Sequence, residues 1–426
     1  MKKRVVLVIS IIILLIISFF AFKYFIPNKV NEVTNSQYVS EKFVLNDQIN
    51  QTNKASMLVN LQTNQIIYAN NVNQVQPVYS VSKVMFLATV AEKMKEDNIS
   101  YDKKVVVPKI INKVNKNGNF SRANLKANEV YTIKELFDGT MIPSGNDATI
   151  VLAIEIFGSH ENAVQAMNDN VKKWGLKHSS FISTSGLDGE YLREVGVPAK
   201  SGKNLMSAYD SVILVQLVMA NYPEIVDSGS KIHETIGKKN EIASVNEILD
   251  GLDYGYNGVY GLKTGSNIEE YSNCIMALKK NEQNQDILAI AYSAKTRASL
   301  YGDVAKMYDY LKTLELNNLQ DKIQLNTKVG FSENEVSFQL EQPFYLYQHP
   351  NQTLEYRLVN KTKYNKSLNR FYNVKSNDKL GQLEIIDENV FFNNEPLNLS
   401  YVVAGEVKAK NIFSNIKEFV GELIAK

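Results

Sequence analysis

Ser80 and Lys83 place a hydroxyl and an amine three positions apart, in Ser80-Val81-Ser82-Lys83, at the head of a strongly apolar run. On a helix that spacing puts both side chains on one face. A helix start also leaves backbone N–H groups free and favours developing negative charge. Such a pair can do acyl chemistry. The serine attacks a carbonyl carbon and the lysine takes its proton, once burial and neighbouring cations have lowered the amine's pKa. The spacing alone says little, because Ser100/Lys103, Ser228/Lys231, Ser376/Lys379 and Ser414/Lys417 share it. Only Ser80 opens a strongly apolar helix.

Two more polar constellations lie further along the chain. Ser144-Gly145-Asn146 comes after Pro143 and before an apolar helix, on a loop entering structure. Taken alone it reads as a helix N-cap, and Ser244, Ser332 and Ser367 begin the same pattern. Lys263-Thr264-Gly265 occurs once, ending one strand-like run and preceding another. There its side chains can line a groove at a sheet edge; the plain alternative is a β-turn with a surface lysine.

The rest of the composition narrows the chemistry. Cys274 is the single cysteine, which excludes an internal disulfide and any cysteine-rich metal site. His160, His178, His233 and His349 are scattered without a metal-binding spacing. Lys and Arg number 47 against 45 Asp and Glu, so no broad basic surface for nucleic acid is expected. At 426 residues, 44% hydrophobic and 22% charged, the chain has material for two or three folded domains.

Several elements must position these residues. Ala55–Leu61 and Ile66–Asn70 read as a hairpin. Ser80 to about Lys95 is a mostly buried helix, and Thr132-Ile133-Lys134-Glu135 is a capping box opening another. Asp147–Phe157, closed by Gly158, and Ser207–Ala220 are apolar helices. Val259–Thr264, Tyr271–Lys279 and Asp286–Tyr292 read as successive antiparallel strands, with a helix from Arg297 to Leu314 after them. Beyond about Asn317, alternating segments such as Val336–Leu340, Phe344–Tyr347 and Leu383–Ile386 predict a separate β-rich domain.

The termini carry further expectations. Lys2, Lys3 and Arg4 precede an uncharged apolar run from Val5 to Phe22. At ~1.5 Å per residue it reaches roughly 27 Å, near the thickness of a bilayer's hydrocarbon core. It reads as a signal anchor, with a cleaved signal peptide as the alternative, and either one exports the rest of the chain. The expected location is therefore the cell membrane, with the catalytic part on the extracytoplasmic face. Asn28 to Lys54 is a polar tether. Ile412, Phe413, Ile416, Phe419, Val420, Leu423 and Ile424 mark one face of a C-terminal amphipathic helix, which either lies on a membrane or packs on the β-rich domain.

Helix start, loop and strand occur in one order, and the triple of motifs is the signature of penicillin-binding proteins and class A β-lactamases. From Ala55 to the C-terminus the chain resembles the low-molecular-mass penicillin-binding proteins, the serine D-alanyl-D-alanine carboxypeptidases. Ser144-Gly145-Asn146-Asp147-Ala148, Thr184-Ser185-Gly186-Leu187, Ser207-Ala208-Tyr209-Asp210, Gly261-Leu262 and Lys379-Leu380-Gly381 carry the likeness beyond the triple. Tyr209, where many relatives have Arg, and Ser266, where His or Tyr is common, depart from it.

The resemblance implies an α/β (α+β) fold of the penicillin-binding/β-lactamase-like transpeptidase type, an antiparallel sheet flanked by helices, followed by a small β-rich domain. Its divisions here are 1–27 anchor, 28–54 linker, 55–317 catalytic domain, 318–410 β-rich domain and 411–426 amphipathic helix. The implied substrate is a peptidoglycan stem peptide ending in D-Ala-D-Ala, β-lactams are covalent inhibitors, and no metal or organic cofactor is needed. Ser80 is then the nucleophile, Lys83 the base, Ser144 a proton relay and Asn146 an orienting amide. Lys263, Thr264, Gly265, Ser266 and Arg297 form the substrate-binding set. A DD-transpeptidase shares these residues and is the alternative. A β-lactamase is disfavoured, since no E-x-x-L-N type loop follows Asn146.

Overall fold

The computed structural model describes residue 49 and residues 51–404, apart from 119, 268, 324, 329–334, 353–354, 360, 362–363, 366–369, 372–373, 376, 386–389 and 393–396. Contacts divide the chain into two units, with the break after Glu315.

The first unit is built on an antiparallel sheet. Strand β1 (Ala55–Asn60) forms a hairpin with β2 (Gln65–Asn70) and pairs on its other side with β5 (Asp286–Ala294). Strand β5 pairs with β4 (Ser272–Lys280), and β4 with β3 (Val259–Asn267). Every residue of β5 is buried, as its near-continuous apolar run demands of a strand covered on both faces. Helix α5 (Ala208–Asn221) packs on β1 and β5, α6 (Pro223–Ser230) on β3, and α7 (Arg297–Leu311) on β4 and β5.

Helix α1 (Ser82–Glu96) is buried on nearly every side over its first ten residues, which explains its unbroken apolar run. Ser80 lies just ahead of it, in a 3-10 turn over Tyr79–Val81. Helix α2 (Ile133–Met141) starts from the expected capping box: the Thr132 hydroxyl accepts from Glu135 N at 3.2 Å. Helix α3 (Asn146–Phe157) ends at Gly158, whose φ of 79° is the left-handed conformation that suits glycine. Helix α4 (His160–Lys173) follows directly.

The motif expected to end a strand instead lies inside one. Lys263, Thr264 and Gly265 pair with Met276, Ile275 and Cys274, and the ladder continues to Asn267. Polar composition and a glycine argue against a strand interior by propensity. Here the ladder with β4 overrides propensity, and the glycine answers to a close approach between this strand and the backbone at Ser80.

The second unit is β-rich, as its alternation predicted. Its main sheet runs Leu325–Lys328, Glu335–Leu340, Asn398–Val403, Lys379–Ile385, Tyr356–Val359. Phe338, Leu340, Leu346, Leu383 and Tyr401 lie in its core.

The membrane location must be corrected. Among the described residues no helix is long and apolar enough to cross a membrane. The helices α1 and α7 have 15 residues each, which at ~1.5 Å rise fall well short of a ~30 Å hydrocarbon core. The apolar run Val5–Phe22, the tether at 28–48 and 50, and the amphipathic segment 411–426 lie outside the described residues.

Candidate active site

Lys83 is fully buried, and its Nζ is 2.9 Å from Ser80 Oγ, 2.9 Å from Asn146 Oδ1 and 2.8 Å from the Ser185 carbonyl. A carbonyl and an amide oxygen can only accept, so they take two N–H bonds. A neutral amine has two hydrogens and one lone pair, and that lone pair then falls to the Ser80 hydroxyl. Burial lowers the proton affinity of Lys83 well below that of a free lysine, the charge of Lys263 lowers it further, and Asp147 acts in the opposite sense. Burial and the Lys263 charge thus favour a neutral Lys83, and in that state the three contacts leave its lone pair facing the Ser80 hydroxyl.

Ser144 and Asn146 reach the same place from the entry to α3. Ser144 has φ 58°, its side chain is 3% exposed, and its Oγ has no hydrogen-bond partner among the described residues. A buried hydroxyl left unpaired costs about 1–3 kcal/mol, the kind of strain that functional sites retain. Asp147 anchors this corner. Its buried carboxylate accepts from Ala123 N at 2.8 Å and Leu125 N at 2.9 Å, tying the preceding loop to the helix start.

Strand β3 closes the third side. A Cβ on Gly265 would sit 2.9 Å from Ser80 N and 2.8 Å from the Val78 carbonyl, so only glycine lets the strand approach the backbone at Ser80 so closely. Lys263 was expected to line a groove, but its side chain is 1% exposed and its Nζ donates to the Thr264 carbonyl at 2.9 Å. Burial lowers its pKa to about 7, with the nearby Arg297 adding to the effect and Cys274 opposing it. Its influence on a bound anion would be that of a field from behind the surface. The Cys274 thiol donates to the Val78 carbonyl at 3.1 Å, and burial pushes its own pKa up, so it is not a reactive thiolate.

The Ser185 carbonyl was not among the expected site groups. It is held by a buried polar loop. Asn204 Oδ1 accepts from Ile182 N at 2.8 Å and Ser183 N at 3.0 Å, and its amide donates to the Ser183 carbonyl at 2.7 Å. Gly186 follows at φ +86°, and any side chain there would overlap the Tyr79 carbonyl. The only sequence signal was the segment Thr184-Ser185-Gly186-Leu187 itself, because a backbone carbonyl has no residue type to announce it.

Ser80, Ser144, Asn146, Thr264, Gly265, Ser266 and Arg297 all line one cleft of about 340 Å³, with Lys83 and Lys263 just behind its wall. Arg297, the first residue of α7, is half exposed and 3.9 Å from Glu247. Asn117, Phe120, Tyr191, Glu194 and Glu269 also line the cleft and were not foreseen. They come from irregular segments and short elements whose sequence carries no periodicity. Tyr209 is not among the lining residues; its backbone N–H donates to the Val72 carbonyl at 3.0 Å.

A cleft that joins a serine, a buried lysine, a Ser-x-Asn corner and a Lys-Thr-Gly strand has known counterparts. A family model described as D-alanyl-D-alanine carboxypeptidase matches residues 42–296. The D-alanyl-D-alanine carboxypeptidase DacF of Bacillus subtilis is 28% identical over 292 residues, covering 67% of this chain and 69% of that protein. DacC of Escherichia coli is 24% identical over 259 residues, covering 60% of each chain. Among solved structures, a peptidoglycan synthesis regulatory factor of Streptococcus pneumoniae, its penicillin-binding protein 3, is similar at a TM-score of 0.68 with 20% identity, over 84% of this chain and all (100%) of that one. Penicillin-binding protein D2 of Listeria monocytogenes in its ampicillin-bound form is similar at a TM-score of 0.50 with 23% identity, over 61% of this chain and 97% of that one. The structural likenesses establish the fold, and with a family model spanning more than half of its length the chain belongs to the D-alanyl-D-alanine carboxypeptidase family of serine-type hydrolases.

Proposed function

We propose that residues 55–317 form a serine DD-carboxypeptidase domain that removes the terminal D-Ala from peptidoglycan stem peptides through an acyl-enzyme on Ser80. The observation that carries this reading is the set of three contacts around Lys83 Nζ, which leaves its lone pair for the Ser80 hydroxyl. Ser80 Oγ attacks the penultimate carbonyl carbon while its proton passes to Lys83, a transfer worth ~10²–10⁴ in rate. The resulting oxyanion lies between the backbone N–H groups of Ser80 and Ser266, and each such donor is worth roughly 10²–10³. The C–N bond then breaks, and the departing D-Ala nitrogen receives a proton through Ser144, whose hydroxyl has no partner among the described residues. Water cleaves the ester and returns a proton to Ser80. Thr264 and Arg297 bind the substrate's terminal carboxylate, Lys263 supplies positive potential, and Gly265 admits the strand to the nucleophile. The names of the curated relatives and the ampicillin-bound neighbour support the substrate and β-lactam reading.

The test is a β-lactam adduct mapped by peptide mass spectrometry, together with D-Ala release from a D-Ala-D-Ala peptide. One adduct per chain, on Ser80, is expected. Ser80→Ala should lose both labelling and turnover. An adduct elsewhere, or undiminished labelling of Ser80→Ala, would overturn the assignment.

A further inference from the structure

His160 opens α4 and is 3% exposed. Its Nδ1 lies 2.9 Å from the Pro198 carbonyl and its Nε2 3.3 Å from Thr184 N. A carbonyl only accepts and a backbone N–H only donates, so Nδ1 must carry the proton and Nε2 must offer its lone pair. The two partners together fit the neutral ring in one tautomer. An imidazolium would set its own N–H against that of Thr184.

Thr184 is the residue before Ser185, whose carbonyl receives the Lys83 amine at 2.8 Å. Asn204 fixes this loop at Ile182 and Ser183. Ser183 Oγ accepts from Ser185 N at 3.2 Å and Gly186 N at 3.1 Å. His160 supplies the acceptor for Thr184 N, between the part that Asn204 holds and the carbonyl that Lys83 uses. We propose that His160 is a positioning residue, whose neutral imidazole fixes the loop that aims the Ser185 carbonyl at Lys83 and whose protonation releases that carbonyl and slows acylation of Ser80. The proposal rests on the reading of Lys83 as general base.

The surroundings favour the neutral ring at neutral pH. Burial lowers the proton affinity of His160, outweighing the Pro198 carbonyl and the charge of Glu161, which raise it. A helix N-terminus also disfavours a cation. The groups facing the ring are Glu161 from its own helix, the Thr184 N–H from the loop and the Pro198 carbonyl from the opposite segment. The Lys83 amine stands one residue further on, at Ser185.

The experiment is the rate of Ser80 acylation by a β-lactam across pH, followed by intact mass, for the full chain, H160Q and H160L. Glutamine can donate to Pro198 and accept from Thr184 without titrating; leucine can do neither. At neutral pH we expect H160L to acylate about tenfold slower, as loss of one positioning hydrogen bond implies, and H160Q to stay within about threefold of wild type. On the acid side the wild-type rate should fall with pH more steeply than that of H160Q, by the one additional proton that His160 takes up. Parallel acid limbs in wild type and H160Q would overturn the inference. So would an H160L protein with the wild-type rate and profile. If H160L does not fold, the comparison with H160Q decides. Absence of labelling on Ser80 in the wild type at every pH would instead sink the acyl-enzyme reading, and this inference with it.

Discussion

Lys83 and Lys263 are both withdrawn from solvent, one on a helix and one on an edge strand, and the charge of Lys263 lowers the proton affinity of Lys83. Two buried amines that act on each other's charge favour a division of labour, with one neutral and one charged. Lys83, buried and beside the Lys263 charge, suits the neutral state. Lys263, with its pKa lowered to about 7, carries its charge below that pH.

That division predicts a bell-shaped pH profile for acylation. As pH rises, Lys83 loses its proton, which burial and the Lys263 charge already make easier, and the rate climbs. The rate then falls as Lys263 loses its proton near 7. Stopped-flow acylation with a chromogenic β-lactam over about pH 5 to 9 would check this. A rate that stays flat through the alkaline limb would remove the Lys263 charge from the chemistry.

Replacing Lys263 by methionine should separate stability from activity. The folded-state pKa is about 7 against an ordinary 10.5, so the unfolded chain binds more protons between those values. Stability therefore rises with pH across that window, and below it the full penalty of the buried charge is present. K263M should remove that slope and raise neutral-pH stability, by an amount on the order of a few kcal/mol at most, while acylation falls by roughly 10²–10³. Thermal melts of both proteins at several pH values give the reading, and identical slopes would count against a buried, pKa-lowered lysine.

Gly265→Ala tests the approach of β3 to the nucleophile. The new Cβ would meet Cys274 Sγ at 2.9 Å and Ser80 N at 2.9 Å, with backbone on two sides and little room to yield. Overpacking of this kind costs about 1–3 kcal/mol. The strand must shift away from Ser80, so acylation should fall by more than stability does, as β-lactam labelling measured beside a denaturant melt would show. Wild-type labelling in a destabilised G265A protein would mean that the approach matters for folding alone.

Ser144→Ala should behave in the opposite way to most buried substitutions. Its hydroxyl is buried and has no partner among the described residues, so deleting it removes an unsatisfied group, and stability should hold or rise slightly. Turnover of a D-Ala-D-Ala peptide should drop by ~10²-fold or more if this hydroxyl carries the proton to the leaving nitrogen. A marked loss of stability with turnover intact would assign Ser144 a structural task.

How much of this was legible in the residues depends on the range of the force involved. The apolar run behind Ser80, the Thr132 capping box, the glycine stop at Gly158 and the unbroken apolar strand β5 rest on interactions a few residues long, and they stand where sequence placed them. The order of the three polar motifs also lies in the sequence itself. Tertiary structure decided what surrounds them. Packing alone makes the Ser185 carbonyl, 102 positions away, a partner of Lys83, since a backbone oxygen has no side chain to mark it. Packing alone buries Lys263, since its strand could as well have faced water. The ladder with β4 carries β3 on through Lys-Thr-Gly, where propensity would have ended it. Local chemistry names the reactive groups; distance, burial and their joint effect on two lysines arise only when the chain closes on itself.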